Sequence, residues 1–548
     1  MRRHWFIASG SATLAAGLAA LRPAGAAFPK ASLRDKLSTR AETSNYAQTS
    51  TYADVLRILA ELDMRGAPIF RGSLGRSWGG REIPFVIASR PRVTSIAQAR
   101  ALNRPIVYIQ AALHGNEVDG KEAMLAILRD LCLSTDKTLL DDLVLAIVPI
   151  ANPDGHERYG QQARNAPEQN GPARVGIREN AQGYDLDRDF IKVETHEVRA
   201  IMEFVNAWNP DVFVDLSTEG GSFSDFSITH APSLHPAAYF GGLFARDKLL
   251  PAVHGELHDK FGVETFASGH FGRYKPMPAP PAPTDWVDFG WFAPDYRARH
   301  GVNYMGVRGA VAVLAQSYAH DTLERRVFTT RAFVESLLGY CSENDDEVMN
   351  NTKTMTHWLG GPIPIRASYP LRPPAQVIAW ENLASNSDLE ADPEPGVPAG
   401  LKRTDTFSSA SMPIFDRYVP ALTMTQTRGY LIPEQYVQHV KPLLERHGIA
   451  HTVLADSESL MVEEFGVERV DREPAATDGH HPISLSGRWY GPTAFTAASG
   501  SVMVPCVQAL GPLVSVLLEP ESDDSFFTWN AFEGYTTPGF VVPVFRVI

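Results

Sequence analysis

Two near-continuous apolar runs of strand length, "PIVYIQAA" at 105–112 and "DLVLAIVPI" at 142–150, enclose the stretch "DGKEAMLAILRDL". In that stretch Met124, Leu125, Leu128 and Leu131 recur at helical spacing. A strand that is apolar at almost every position has to be covered on both faces, which is the habit of parallel sheets with helices packed above and below. The rhythm continues with "HEVRAIMEFVNAW" as a helix, "DVFVDLS" and "GAVAVLAQSY" as strands, and "TLERRVFTTRAFVESLL" as a closing helix. Alternation of this kind predicts an α/β domain with a twisted, largely parallel central sheet. Ligands of such sheets bind beyond the carboxyl ends of the strands.

With 548 residues the chain is too long for one ordinary core. The composition turns acidic and polar at "SENDDEVMNNTK", which predicts a boundary near 345. The α/β domain then covers 50–345 and a smaller α+β domain covers 346–548. The second domain contains short strands ("AQVIAW", "SVMVPC", "LVSVLLEP") and the unit "GYLIPEQYVQHVKPLLERHGIAHTVLA", read as strand, helix, strand with Gly448 as the helix cap. "KPMPAPPAPTDW" and the Pro-rich, polar 381–400 read as loops, the first placed over the site.

The amino terminus has a basic start, an apolar Ala/Leu run and the small residues Ala24-Gly25-Ala26, the pattern of an export signal over 1–26. Arg2-Arg3 followed by Phe6 resembles a twin-arginine signal. A polar leader follows over 27–49, and the expected location is periplasmic or extracellular. No later apolar run has the length of a membrane span. A formal net charge of −13, without a Lys/Arg block after the first residues, argues against nucleic acid as a partner. Three scattered cysteines make neither a disulfide framework nor a zinc knuckle.

The segment that carries chemistry is "YIQAALHGNEVDGKEA". His114 follows the strand at once and Glu117 comes three residues on, so an imidazole and a carboxylate can converge beyond the strand end, a pairing suited to zinc. "GRSWG" around Ser77 fits a nucleophile pattern, but a turn before a strand is the wrong context for it. "HEVRA" lacks the second histidine of a metalloprotease helix.

Taken with "VPIANPDGHERYG" and "IRENAQGYDLDRDF", the His114 segment resembles the zinc carboxypeptidase family, of the carboxypeptidase A and B type, over about 50–345. The resemblance implies a carboxypeptidase-like twisted, mixed sheet flanked by helices, zinc as cofactor, and a peptide or cell-wall peptide as ligand. It makes His114 and Glu117 zinc ligands, Arg178 the arginine that polarises the scissile carbonyl, and Arg188 the clamp for a terminal carboxylate.

The family pattern breaks in three places. Ser217 stands at the end of "VFVDLS", where the family has its third zinc ligand, a histidine. Glu219, two residues along the same strand, is the substitute that spacing offers, with His230 and His320 as further candidates without a motif. Gln316 in "VAVLAQSY" replaces the glutamate base, and an amide cannot take a proton from water. Asp187 replaces an asparagine beside the carboxylate clamp, which disfavours a free C-terminus and suits an amidated or cationic group. Two readings follow: a hydrolase with a rebuilt metal site, or a catalytically inactive relative that keeps the cleft to hold peptides.

Overall fold

The computed structural model describes residues 37–161, 169–220, 222–273, 289–354, 361–385 and 401–548. The export signal, the Pro-rich loop at 275–286 and most of the 381–400 insertion lie outside the described residues.

Eight strands form the main sheet: β1 (Ile69–Arg76), β2 (Glu82–Ala88), β3 (Ile106–Ala111), β4 (Val144–Val148), β5 (Val212–Glu219), β6 (Ile228–Pro232), β7 (Thr265–Ala267) and β8 (Val311–Tyr318). Their order across the sheet is β1-β2-β4-β3-β5-β8-β6-β7. The four central strands β4, β3, β5 and β8 are mutually parallel, and antiparallel strands flank them on both sides. The fold is therefore the centrally parallel α/β sheet that the apolar runs predict, with the mixed flanks that the resemblance implies.

Strand alternation sorts the central residues onto two faces. Val107, Ile109, Val212, Val214, Val311 and Val313 face a core covered by α1 (Tyr52–Met64), α2 (Asp119–Leu133) and α5 (Leu323–Glu343). Tyr108, Phe213 and Ala312 face the opposite core, covered by α3 (His196–Trp208) and α4 (Gly301–Arg308). That second cluster runs on without a break into residues of the C-terminal region such as Tyr430, Phe465 and Phe526. Toward the carboxyl end of β5, the positions that continue from Phe213 turn polar: Asp215, Ser217, Glu219.

The C-terminal region contributes a long hairpin, Ala375–Ser385 and Leu401–Phe415, whose second strand pairs in parallel with Phe289–Phe292 of the first region. It also contributes a six-stranded sheet with α6 (Val437–His447) packed beside α3. Gly448, at φ 70°, ends α6 in the left-handed conformation expected of it. The segment "LVSVLLEP", expected as a strand, is instead part of a helix, Gly511–Leu518. Pro512 sits in its first turn and every residue is buried, so neither face had to be polar and the period carried no signal.

Candidate functional site

A cavity of about 280 Å³ opens at the carboxyl ends of β3, β5 and β8, on the side of the sheet covered by α4. His114, Glu117, Arg178, Asp187, Arg188, Ser217 and Gln316 all line it. Seven side chains from four separate stretches of sequence thus meet at one place.

The chain leaves β3 through Ala112, held at φ 50°, which turns His114 and Glu117 over the strand ends. Burial alone would lower the His114 pKa, but the Glu117 and Asp185 carboxylates outweigh it and push it up to about 10. Its Nδ1 lies 2.8 Å from Glu117 Oε1 and its Nε2 lies 3.0 Å from Asp185 Oδ1. Burial likewise opposes ionisation of Glu117, and the His114 and Arg178 charges, with the Ser217 hydroxyl, prevail and hold its carboxyl below the usual range.

Arg178 donates from Nε to Asp185 Oδ2 at 3.1 Å and comes within 3.6 Å of Glu117. The "NPDG" turn explains its placement. Asn152 caps the short helix Pro153–Glu157 and donates from Nδ2 to the Arg178 carbonyl. A Cβ on Gly155 would lie 2.4 Å from the Glu179 carbonyl oxygen, so this close approach requires glycine.

Asp187 accepts from the Gly301 amide at 3.0 Å and pairs with His300 Nδ1 at 2.8 Å and with Arg188 at 3.2 Å. Burial would raise its pKa, and the His300 and Arg188 charges instead lower it. Its charge is already committed, which removes the basis for expecting Asp187 itself to receive a cationic ligand group. Asp295 is neutralised in the same way by Arg297 and His300.

Ser217 and Gln316 are direct neighbours in the parallel β5–β8 ladder, so their side chains share a face. The Ser217 hydroxyl donates to Glu117 Oε2 at 2.5 Å, and the Thr218 amide donates to the same oxygen at 3.0 Å. Glu219 does not join them. Its Oε2 accepts from Thr229, its other oxygen is buried without a hydrogen-bond partner, and burial pushes its pKa up to about 8. Glu219 is not among the residues that line the cavity. His230 opposes Ala315 in the ladder and so points to the other face, where its ring packs near Phe333. The His320 ring stacks on Phe223.

Sequence reasoning missed four residues of this site. Asp185, within the "DLDRD" motif, is the partner of both His114 and Arg178; His300 and Asp295 carry no local signal. Asp215 is signalled in the sequence only as a charged residue interrupting the apolar run of β5.

A polar cavity at the carboxyl ends of parallel strands defines an α/β protein with a ligand site beyond the strand ends. Residues 69–226 match the family profile described as zinc carboxypeptidase. This part of the chain is therefore similar to the zinc carboxypeptidase family. Carboxypeptidase 2 of Trichophyton rubrum is 24% identical over 498 residues, covering 86% of this chain and 81% of that protein. Human carboxypeptidase D is 32% identical over 157 residues, which are 27% of this chain and 10% of that protein. A solved metallo-carboxypeptidase from Burkholderia cenocepacia is 16% identical and covers 53% of this chain and 70% of its own, with a TM-score of 0.38.

The family implies zinc, and the residues here do not fit a catalytic zinc centre. Such centres use three strong protein donors, and beside the His114 imidazole and the Glu117 carboxylate the nearest side chain of β5 is the neutral Ser217 hydroxyl. That hydroxyl is itself spent as a donor to Glu117. Among the described residues no group of three or more His, Cys, Asp or Glu side chains is placed to hold a metal ion. The two cations His114 and Arg178 instead balance the two anions Glu117 and Asp185 within one hydrogen-bonded cluster.

Proposed function

We propose that the chain is an exported, peptide-binding member of the carboxypeptidase family in which the hydrolytic machinery has been dismantled. What carries the reading is the Ser217–Glu117 hydrogen bond beside Gln316. The position expected to supply a metal ligand holds a hydroxyl that locks Glu117, and the position expected to supply a base holds an amide. Arg188 and Arg178 line the cavity, and each guanidinium has more N–H groups than its bond to Asp187 or Asp185 uses, which suits them to a peptide end or its backbone carbonyl. Export through residues 1–26, a periplasmic or extracellular location, a cell-wall peptide as ligand and the division at about 345 belong to the same proposal.

Metal analysis of the purified mature protein, run beside a panel of peptides assayed for binding and for cleavage, tests it. The expected result is binding without turnover and zinc well below one equivalent. Stoichiometric zinc together with peptide hydrolysis overturns the reading. The S217H/Q316E double variant is expected to gain both zinc and measurable cleavage, because it restores a third strong ligand and a titratable base.

A further inference from the structure

Where the two regions of the chain meet, two arginines stand side by side without an acid. Arg199 on α3 donates from Nε to the Val193 carbonyl at 3.0 Å. Arg446, in the last turn of α6, donates from Nη1 to the same oxygen at 3.3 Å. Neither guanidinium forms an ion pair among the described residues, whereas elsewhere at this junction Arg299 pairs with Asp524 at 2.7 Å and Lys192 with Asp478 at 3.4 Å. Burial, and after it the Arg199 charge, lower the Arg446 pKa against the opposing pull of Glu194 and Asp189. Each guanidinium carries five N–H groups in a fork suited to an oxyanion, and one neutral carbonyl answers only one from each. That carbonyl belongs to Val193, held at φ 50°, where a β-branched residue is rarely found.

The arginines line a cavity of about 340 Å³, within the range of small-molecule sites, and none of its lining residues lines the cavity at the strand ends. Asn206 lines it too. Its Nδ2 donates to the Arg446 carbonyl at 2.9 Å, which fixes the amide, and its Oδ1 is buried without a hydrogen-bond partner. A buried acceptor left unpaired costs stability, and a hydroxyl on a ligand completes it. Glu203 and Glu445 also line the cavity, both exposed, and Glu445 is paired with Lys441. Their charge works against an extended polyanion and leaves the arginines to a single compact one. Two adjacent guanidiniums are balanced by a dianion and not by a carboxylate, which carries one charge.

We propose that this cavity binds a phosphate group, as the free ion or as the ester of a small molecule, gripped by Arg199 and Arg446 together. Bound there, the phosphate joins α3 of the first region to α6 of the C-terminal region. The site is separate from the peptide-binding cavity and stands whether or not that reading holds.

Calorimetric titration of the full chain with inorganic phosphate and with glycerol 3-phosphate, at an ionic strength fixed by sodium chloride, tests the inference. Phosphate is expected to bind at one site per chain, and R199Q and R446Q each to weaken it at least about tenfold, the scale of one charge-assisted contact. Each variant leaves the other arginine on the Val193 carbonyl, and thermal melting in chloride checks its folding. R199K and R446K, which keep the charge and lose the fork, are expected to fall between. Tighter binding of glycerol 3-phosphate than of phosphate upholds the site as one for an ester, and equal binding upholds it as one for the free ion. Absence of binding by both probes at millimolar concentration overturns the proposal. So does an affinity unchanged in folded R199Q and R446Q, or one lost in R188Q alone, which would place the phosphate in the cavity at the strand ends.

Discussion

At the scale of single residues, the site is a closed electrostatic circuit whose members depend on one another. Asp185 joins its two cations, accepting from Arg178 and pairing with His114 Nε2. In D185N, His114 loses one of the two anions that hold its pKa at about 10, so the pKa falls toward the ordinary histidine value. An NMR titration of the His114 ring measures that fall directly, and an unmoved pKa would show that Glu117 alone sustains the charge. The same substitution leaves half-buried Arg178 with one anion fewer and is expected to cost about 1 kcal/mol of stability, read from urea unfolding. Much at this scale was legible in the sequence, because Ser217, Gln316 and Asp187 stand inside motifs of fixed spacing. The pairing of Asp187 with His300 was not, since 113 residues separate them and only the fold brings them together.

At the scale of elements, legibility followed the width of the apolar pattern. β3, β4, β5 and β8 are near-continuous apolar runs, and α2 and α3 have clear helical spacing, so all six lie where the sequence puts them. The helix Gly511–Leu518 reads as a strand in the sequence because a short, fully buried run looks the same in either conformation. Turns carried more information than their length suggests. The Pro153–Glu157 turn carries Gly155, and the missing side chain there lets the Glu179 carbonyl pass at a distance that no Cβ would allow. G155A is expected to destabilise the protein by about 1–3 kcal/mol through this clash with backbone. Because the clash displaces the loop that carries Arg178, the substitution should also weaken ligand binding. Measured by urea unfolding and by calorimetric titration with a peptide that binds the unaltered protein, an unchanged stability would mean that the loop gives way freely.

At the scale of the whole molecule, the C-terminal region is a brace for the site loops more than a neighbour of them. Asp478 accepts from the Asp185 amide and pairs with Lys192, and Asp524 pairs with buried Arg299 beside His300. Nothing in the sequence of 346–548 announced this, because its contacts join residues two to three hundred positions apart. His447 is the most sensitive of them. Its Nδ1 accepts from the Tyr304 hydroxyl at 2.8 Å and its Nε2 donates to the Ile191 carbonyl at 3.0 Å, so only the neutral ring satisfies both. Burial, reinforced by Arg308 and Arg446 and opposed by the Ile191 bond, lowers its pKa to about 3. An imidazole whose folded pKa lies below its unfolded value lends stability that is complete above the unfolded pKa, near 6.5, and is lost as the pH falls toward the folded one. Between pH 7.5 and 5.5 this one group should remove about 1.4 kcal/mol, and more at lower pH. Other buried groups titrate in the same range, so the informative quantity is the difference between the unaltered protein and H447Q, whose amide can donate and accept but cannot gain a proton. Urea unfolding at the two pH values should show a shallower loss in H447Q. Parallel losses in the two proteins would assign the acid sensitivity to groups other than this contact between the two regions.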